Sequence, residues 1–271
     1  MFTDGVRDHP QYYRPMNHMQ LEICQISDAA FFSHSRNRYP FNRIFAVKSA
    51  GHQRSCLFSH SCGERLEMRP GCIYFMTAGT DLEFEFQPDT KFFAFHFNLR
   101  VGARDLFSGH DFLKEVTGKR QSIEKIADLL QKEPPGLCDI CSLQSILLQL
   151  IADFLPGIGE QNSDLEYWEP VLQWIQQHAD ATTLIEELAS VMNLSHDTFS
   201  RKFSKEFRIS PKHYLEMELA RKAGILLTST SKSLNEIAHE LNFSDIYYFY
   251  RFFRKMTGVP PGQYRKQTAR I

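Results

Sequence analysis

One pair of basic residues occurs twice in the C-terminal third of the chain, fifty residues apart. The first copy is Arg201 with Lys205, and the second is Arg251 with Lys255. Within each pair the lysine follows the arginine by four residues, which is about one helical turn. A guanidinium on an exposed helix can donate two hydrogen bonds to O6 and N7 of guanine, and an ammonium one turn away can reach a phosphate. This spacing therefore predicts double-stranded DNA as a partner.

An internal repeat surrounds these two pairs. Phe199 and Phe203 recur as Phe249 and Phe253. In a helix that buries these rings, a rotation of about 100° per residue fixes the positions that point away from them. In the first copy these positions are Asp197, Arg201 and Lys205, flanked by Ser200; in the second they are Tyr247, Arg251 and Lys255, flanked by Tyr250. The same face carries an arginine and then a lysine in both copies.

Each copy of the repeat predicts a short amphipathic helix, a turn of about three residues and a second helix, which is helix-turn-helix geometry. Ser195 and Ser244 are predicted to cap the second helices, because a serine oxygen accepts a backbone N–H well at that position. Asn193 and Asn242 tolerate the left-handed backbone that such a turn requires. The two units are predicted at about residues 184–208 and 233–258.

The first helix of each unit has the spacing of a capping box. Thr183 with Glu186 and Ser233 with Glu236 are the candidate pairs. These pairs sit one residue out of register between the two copies. One of the two boundaries is therefore expected to differ from this assignment.

The repeat supplies twelve candidate contacts to DNA. Those predicted to read bases are Asp197, Ser200, Arg201, Tyr247, Tyr250 and Arg251, and those predicted to bind phosphates are Ser195, Lys205, Lys212, Ser244, Arg254 and Lys255. The competing interpretation is a solvated helix face with an ion pair between Asp197 and Arg201. Charge favours DNA, because residues 196–271 contain 14 Lys and Arg against 7 Asp and Glu, whereas the rest of the chain contains 17 against 25.

The C-terminal part resembles the AraC/XylS family of transcription regulators. The residues that match the family signature are Leu219-Ala220-Arg221-Lys222-Ala223, Leu226-Leu227, Ile237-Ala238, Asn242-Phe243, Tyr248-Phe249, Arg251, Phe253-Arg254-Lys255, Gly258, Pro261 and Tyr264-Arg265. The resemblance covers about residues 168–266 and implies two helix-turn-helix units joined by one helix, here about residues 212–227. The sequence departs from the family at Asn242, where a glycine is usual, and Arg208 stands where the second copy has Gly258.

The N-terminal part shows the rhythm of short strands between residues 19 and 99, which predicts a sandwich or a small barrel. Leu82 to Phe86 alternates apolar and acidic residues, as a strand with one wet face does. From about residue 103 the apolar period becomes helical and includes one long stripe, formed by Leu143, Ile146, Leu147, Leu150, Ile151 and Phe154. This stripe is predicted to be internal core, and the family resemblance implies that it also pairs two subunits.

The predicted fold class is α+β. A cupin-like β-barrel with dimerisation helices is expected at residues 1–157, a linker at 158–166, and an all-α domain with two helix-turn-helix units at 167–271. The cupin-like barrel is the effector sensor of many AraC/XylS regulators and is inferred from that resemblance and the strand rhythm. The linker is placed after Pro156-Gly157, where the sequence becomes polar.

Five residues are candidates for binding a small-molecule effector. Tyr12, Tyr13 and Arg14 lie in a polar N-terminal arm, which folds over the pocket in sugar-sensing members of the family, whereas Tyr74 and His96 lie on predicted strands. Aromatic rings with an arginine suit a polyhydroxylated ligand, so the effector is predicted to be a carbohydrate. The competing interpretations are a frayed terminus and an ordinary core histidine.

The sequence predicts no catalytic residue, no cofactor and no metal, so the protein is not expected to be an enzyme. His52, Cys56, His60 and Cys62 lie close together but lack the paired spacing of a zinc site. Two alternatives stay open. One is a cupin-type metalloenzyme with a helical appendage, and the other is a regulator whose barrel only dimerises.

Several classes of protein are excluded by composition. No apolar run approaches the ~20 residues that span a bilayer, which argues against a membrane protein. The first residues lack the pattern of a signal peptide, which argues against an exported protein. Six cysteines in 271 residues are too few for a disulfide framework. The predicted protein is cytoplasmic and has no membrane partner. Its expected partners are double-stranded DNA, an effector, a second copy of itself and RNA polymerase.

Overall fold

The computed structural model describes residues 19–29, 33–156 and 165–269. Its N-terminal part holds two antiparallel sheets. The strands are β1 Met19–Ala29, β2 Ser33–Asn37, β3 Asn42–Ser49, β4 Cys56–Ser59, β5 Arg65–Glu67, β6 Ile73–Met76, β7 Leu82–Phe86, β8 Lys91–Val101, β9 Arg104–Asp105 and β10 Leu113–Val116. The first sheet has the order β1-β8-β3-β6-β10, with β9 paired to β8, and the second has the order β2-β7-β4-β5.

The two sheets are stacked face to face, and their facing sides are filled by aromatic rings. The Phe45 ring of the first sheet lies 5.7 Å from Phe86 of the second, measured between centroids, and the Phe86 and Phe92 rings are 4.8 Å apart. On β7, Leu82, Phe84 and Phe86 are buried while Glu85 is exposed, which confirms the alternation in the sequence.

The predicted barrel is not closed, which corrects that part of the expected fold. Each described strand is hydrogen-bonded only to strands of its own sheet. The strands of the second sheet have three to five residues, whereas β1 and β8 have eleven. Strands this short reach the first sheet through side chains and not through backbone hydrogen bonds. The result is a sandwich.

Two helices, α1 Arg120–Leu130 and α2 Leu137–Ala152, cover the outer face of the first sheet. Phe75, Phe95 and Phe97 of the sheet share a core with Ile126 and Leu147 of the helices. The apolar stripe of α2 is therefore internal, as the first interpretation of it predicted. A second subunit cannot use this stripe, which corrects the implied dimer contact.

The regular elements in the described length of the C-terminal part are all helices. Its helices are α3 Leu165–His178, α4 Ile185–Val191, α5 His196–Phe207, α6 Pro211–Ser229, α7 Leu234–Glu240, α8 Ile246–Thr257 and α9 Pro261–Ala269. The first four pack around one aromatic core, and α6 to α9 around a second. The predicted linker, 158–166, falls mainly outside the described residues, and α3 begins at Leu165.

The two parts of the chain share a buried boundary. Phe41, from the connection between β2 and β3, is fully buried and belongs to the core formed by α6 to α9. Its ring lies so close to Gly224 that a Cβ atom there would be 2.8 Å from Phe41 Cζ. The sequence predicted two domains, and in the structure the second helical core is completed by Phe41 of the N-terminal part.

Candidate DNA-binding surface

The first helix-turn-helix unit consists of α4 and α5. Ser195 is the N-cap of α5, and its hydroxyl accepts the N–H of Thr198 at 3.4 Å. Asn193 in the turn has a φ of 53°, which confirms the predicted left-handed backbone. The rings of Phe199 and Phe203 are fully buried, so they fix which face of α5 points outwards.

The second unit consists of α7 and α8, and its cap differs from the prediction. Asp245, not Ser244, is the N-cap of α8, and its carboxylate accepts the N–H of Tyr248 at 2.7 Å. The backbone N–H of Tyr248 holds the pKa of Asp245 below its usual range. The second copy contains one inserted residue, and α8 begins after it. Ser244 is therefore left outside the helix.

The first helices of the two units begin at equivalent positions, but of these two only α7 has a capping box. Ser233 and Glu236 form this box as predicted. At α4 the N-cap is Leu184, one residue later than predicted: the Glu187 carboxylate accepts the N–H of Leu184 at 2.8 Å, and leucine has no side-chain acceptor to complete a box. The Thr183 hydroxyl is instead bonded within the preceding turn, to Asp180.

The outward faces of α5 and α8 carry the residues that the helical angle predicted. Arg201 and Arg251 are exposed at the same turn of the two helices, and Tyr247 is 74% exposed. The other predicted contacts are also exposed, except for the half-buried Ser200: these are Asp197, Tyr250, Ser195, Lys205, Lys212, Ser244, Arg254 and Lys255. Both recognition helices thus present one basic face to solvent.

Few charges on these faces are neutralised. Asp197 contacts His196 at 3.0 Å and not Arg201, so the alternative ion pair does not form. Lys255 lies 3.3 Å from Glu216 of α6, in a contact that is largely exposed. Within residues 165–269, neither Arg201 nor Arg251 forms a salt bridge. Their guanidinium groups are available to a polyanion.

The connection between the units is longer than predicted. Helix α6 has 19 residues, Pro211–Ser229, which corresponds to about 28 Å at 1.5 Å per residue. Lys222 of α6 donates to the carbonyl of Ala179 at 2.7 Å and so fixes the end of α3. The single helix α6 therefore sets the separation of α5 and α8.

The C-terminal ends of both recognition helices contact the N-terminal part. Arg208 and Gly258 follow α5 and α8 with φ angles of 58° and 78°, which confirms the predicted equivalence of these positions. A Cβ atom on Gly109 would lie 2.4 Å from the Phe207 carbonyl oxygen, and one on Gly258 would lie 2.8 Å from Asn37 Cα. These close backbone approaches hold the helix ends against the sandwich.

A buried charge cluster crosses the same boundary and was not predicted. Both carboxylate oxygens of Glu218 on α6 accept from Arg100 on β8 at 2.9 Å, and one accepts from Arg221 at 3.0 Å. Arg221 also contacts Glu22 on β1 at 2.9 Å. Burial alone would raise the pKa of Glu218, but Arg221 and Arg100 hold that pKa at about 2. Sequence patterns carry no signal for partners separated by 118 and 199 residues.

The two effector candidates within the described residues, Tyr74 and His96, have separate surroundings. Tyr12, Tyr13 and Arg14 lie outside the described residues. The Tyr74 hydroxyl donates to the Glu67 carbonyl at 2.6 Å and also contacts Glu115 at 3.0 Å, so it holds neighbouring strands together. His96 is buried at the boundary with the C-terminal part.

The cysteines and histidines considered for a metal do not converge. Cys62 and His52 are exposed, and His60 contacts Glu83 at 2.7 Å. Within the described ranges no three His, Cys, Asp or Glu side chains are placed to hold a metal ion. In the same ranges, none of the helices has the length and apolar character needed to cross a membrane.

Comparison with known proteins agrees with this geometry. A family described as "Helix-turn-helix domain" matches residues 188–267. YfiF of Bacillus subtilis, an uncharacterised HTH-type transcriptional regulator, is 28% identical over 183 residues, which is 58% of each chain. YisR of the same organism is 28% identical over 103 residues, 38% of this chain and 36% of YisR. These matches confirm the resemblance of the C-terminal part of the chain to the AraC/XylS family.

The alignments span well under two thirds of these relatives, 58% of YfiF and 36% of YisR. Over nearly the whole chain the fold is similar to ToxT of Vibrio cholerae, with a TM-score of 0.67, 11% identity, and coverage of 93% of this chain and 99% of ToxT. A second ToxT structure, described as bound to an unsaturated fatty acid, gives 0.65 at 10% identity and covers 93% and 96%. At this identity the similarity concerns the fold alone.

Proposed function

We propose that this chain is a sequence-specific DNA-binding transcription regulator of the AraC/XylS family that acts in the cytoplasm. One observation carries the proposal: Arg201 and Arg251 occupy equivalent, exposed positions on two capped helices joined by one 19-residue helix. That connection of about 28 Å is compatible with the ~34 Å between successive major grooves on one face of DNA. The sequence similarity to regulators supports the same function.

The side chains are assigned to two roles. Arg201 and Arg251 read bases, with Asp197, Ser200, Tyr247 and Tyr250 beside them, and the two tyrosines offer apolar surface to thymine methyl groups. The phosphate contacts are Ser195, Lys205, Lys212, Ser244, Arg254 and Lys255. Lys255 must leave Glu216 to bind a phosphate, which costs little because exposed ion pairs are weak.

The test is a binding-site selection from random duplexes with the full chain. We expect enriched sites with two conserved blocks about one helical turn apart, each containing guanine. Recovery of unenriched sequences, with affinity that depends only on salt, would contradict base reading. Metal analysis of the same preparation tests the alternative of a metalloenzyme, which requires a stoichiometric metal.

We propose in addition that a small molecule controls the regulator. The similarity in fold to ToxT, for which a fatty-acid-bound structure exists, supports control of this kind. The carbohydrate expected from Tyr12, Tyr13 and Arg14 is a hypothesis from composition and family resemblance. A thermal-shift screen of sugars and sugar acids tests it, because a ligand of the folded state raises the melting temperature.

Homodimerisation and contact with RNA polymerase complete the proposed function. Beyond the buried part of its apolar stripe, the N-terminal end of α2 offers a second subunit two apolar side chains, since Leu137 is 77% and Ile140 is 51% exposed. Light scattering of the wild-type chain and of Ile140→Asp tests this contact. We expect a dimer that the aspartate dissociates.

A further inference from the structure

Two cysteines lie in the first turns of α2, three positions apart. Cys138 and Cys141 are both exposed, and neither forms a disulfide. Residues three positions apart on a helix are neighbours on its surface, with Cβ atoms about 5–6 Å apart. An exposed thiol contributes nothing to the packing of a core, where cysteine is usually found. The pair therefore stands at the surface as a reactive group and not as a packing element.

The spacing of the pair is that of half a zinc site. Two cysteines separated by two residues supply two thiolates to structural zinc sites, in which each sulfur lies about 2.3 Å from the metal. Tetrahedral geometry then places the two sulfurs about 3.8 Å apart, a distance that side-chain rotation can reach from neighbouring Cβ atoms. Helix α1 precedes the pair, whereas a thioredoxin-like redox pair belongs to a βαβ unit. The surroundings therefore favour a metal over a redox role.

The described part of one chain does not complete such a site. Structural zinc takes four protein ligands. Within the described ranges no three His, Cys, Asp or Glu side chains are placed to hold a metal ion. Asp139, which lies between the two cysteines in sequence, contacts Lys132 and accepts the backbone N–H of Gly136 at 3.0 Å. Its carboxylate is already used at the start of α2, so the pair supplies two ligands of four.

The surface around the pair suits a second copy of the chain. The outward side of α2 is uncharged, and its exposed residues are Leu137, Cys138, Ile140, Cys141, Gln144, Ser145, Gln149 and Ala152. The one charged residue of α2, Asp139, is half-buried and neutralised by Lys132. Interface cores are depleted of charged residues, and two uncharged faces meet without burying an unpaired charge. A two-fold axis at this face brings two thiolates from each copy and so supplies four.

We propose that Cys138 and Cys141 of two copies of the chain form one zinc site with four thiolate ligands. The proposal rests on the homodimer of the proposed function and names the group that joins the two subunits. The two-fold axis passes near the first turns of α2, because both pairs must reach one ion. Leu137 and Ile140 lie beside the thiols, where they are 77% and 51% exposed, and they become covered in the dimer.

The charge of the site fits its place in the fold. Zn²⁺ replaces the protons of the thiols, which pass to the solvent, and the resulting complex has a net negative charge. The N-terminal end of a helix favours negative charge, because its first backbone N–H groups have no partner within the helix. Lys132 neutralises the competing carboxylate of Asp139 in the same turn. Because the thiols must lose protons, zinc affinity is expected to fall as the pH decreases.

The experiment uses the full chain, kept reduced and freed of metal with a chelator, and zinc chloride as the probe. Retained metal is measured after dialysis, and the molar mass is followed by light scattering. We expect half an equivalent of zinc per chain, and a dimer at least tenfold tighter with zinc than with chelator. A chain that retains no zinc, or a dimer that is equally tight with chelator, would overturn the proposal.

Cobalt(II) in place of zinc identifies the ligands. We expect a thiolate-to-metal charge-transfer band and the visible bands of a tetrahedral site, both saturating at half an equivalent per chain. One cobalt ion per chain, without a change in molar mass, would assign the pair to a site within a single subunit. A spectrum without thiolate bands would assign the metal to other residues. Either result contradicts the intersubunit site.

Variants at the pair test its role directly. The double variant Cys138→Ser with Cys141→Ser should lose zinc and the zinc-dependent gain in dimer affinity. Its melting temperature without zinc should be unchanged, because both side chains are exposed. Cys62→Ser, at an exposed cysteine of the sandwich, is the matched control and should behave as the wild type. Cys141→His keeps four ligands in the dimer and should still bind half an equivalent of cobalt, with a weaker thiolate band.

DNA binding is measured on the same preparations with zinc and with chelator. Loss of zinc binding with intact recognition of the selected sites would refute the zinc site alone. Loss of sequence-specific recognition with zinc retained would instead refute the proposed regulator function. A metal that the double serine variant still retains would also contradict the intersubunit site, and it is the result that the metalloenzyme alternative requires.

Discussion

The two helix-turn-helix units have the same scaffold but are stabilised differently. The first is closed by aromatic rings of its own part of the chain, including Trp168, whose ring lies 5.4 Å from Phe203. The second needs Phe41 from the sandwich. Their recognition faces also differ, since α5 carries Asp197 where α8 carries Tyr247. The two copies of the repeat thus share their helix geometry, but they differ in the residues that complete their cores and in the side chains on their exposed faces.

The largest effect is expected from Phe41→Ala, which removes the borrowed ring from the second core. We expect a loss of about 3–5 kcal/mol in the free energy of unfolding, as for other buried phenylalanines. Amide hydrogen exchange should accelerate in α7 and α8 and much less in α4 and α5. Equal acceleration in both units would contradict the conclusion that only the second unit depends on Phe41.

Gly224→Ala provides a matched variant on the other side of the same contact. The added Cβ would lie 2.8 Å from the Phe41 ring and must displace it. Because alanine favours a helix over glycine, the isolated α6 is not weakened. The same selective acceleration in α7 and α8 would therefore report on the Phe41 contact itself.

A pH-dependent effect is expected from Asp105 on β9, which is near Glu218 at the boundary. Burial raises the pKa of Asp105 to about 6, although the N–H of Phe107 and the Asn42 amide favour its ionised form. The folded state therefore holds the proton more tightly than the unfolded state, and stability falls as pH rises from about 4 to about 6. The loss is about 2–3 kcal/mol.

Asp105→Asn should remove this decline. Urea unfolding at pH 5 and pH 7 gives the free energy of unfolding of the variant and of the wild type, and the difference between the two proteins is compared at the two pH values. Glu218 does not interfere in this window, because its pKa of about 2 is lowered and its contribution disappears only as pH falls below about 4.5. An unchanged difference between the two pH values would contradict the burial of an ionisable Asp105.

The two recognition faces can be compared directly by Arg201→Ala and Arg251→Ala. Each should cost about 1–3 kcal/mol at the selected DNA site and relax one base position in its own half-site. Lys205→Ala is the control and should weaken binding to all sequences alike, with a salt slope smaller by about one. Identical uniform losses for Arg201→Ala and Lys205→Ala would show that the outer face of α5 reads no base.

The helix caps give a smaller effect. Ser195→Ala and Asp245→Ala each remove an N-cap and should cost about 1 kcal/mol. Ser244→Ala should change stability by less than about 0.5 kcal/mol, because Ser244 lies outside α8. Thermal unfolding of the three variants decides between Asp245 and Ser244 as the cap.

The ends of the recognition helices provide the last pair of variants. Arg208 has a left-handed φ of 58°, so Arg208→Gly should stabilise the protein by about 1 kcal/mol. Gly258→Ala should destabilise it, because a Cβ there is strained and meets Asn37. Opposite changes in stability at these two equivalent positions would confirm that the repeat conserves the left-handed backbone but not the residue type. A destabilised Arg208→Gly would indicate a side-chain role for Arg208.

The sequence by itself determined the features that depend on neighbours along the chain. Phe199, Phe203, Phe249 and Phe253 fixed the buried faces of α5 and α8, and with them the exposure of Arg201 and Arg251, because helical rotation is set locally. The alternation on β7 was fixed in the same way. The cap at Asp245 was missed because a single inserted residue shifts the start of α8 by one position.

Only the tertiary structure decided the features that join distant segments. Phe41 in the second core and the cluster of Arg100, Glu218 and Glu22 bring together strands and helices far apart in sequence. The same holds for the unclosed barrel, which depends on whether two sheets share backbone hydrogen bonds. Periodicity reports which side of an element is buried, whereas the partner that buries it is chosen by packing in three dimensions.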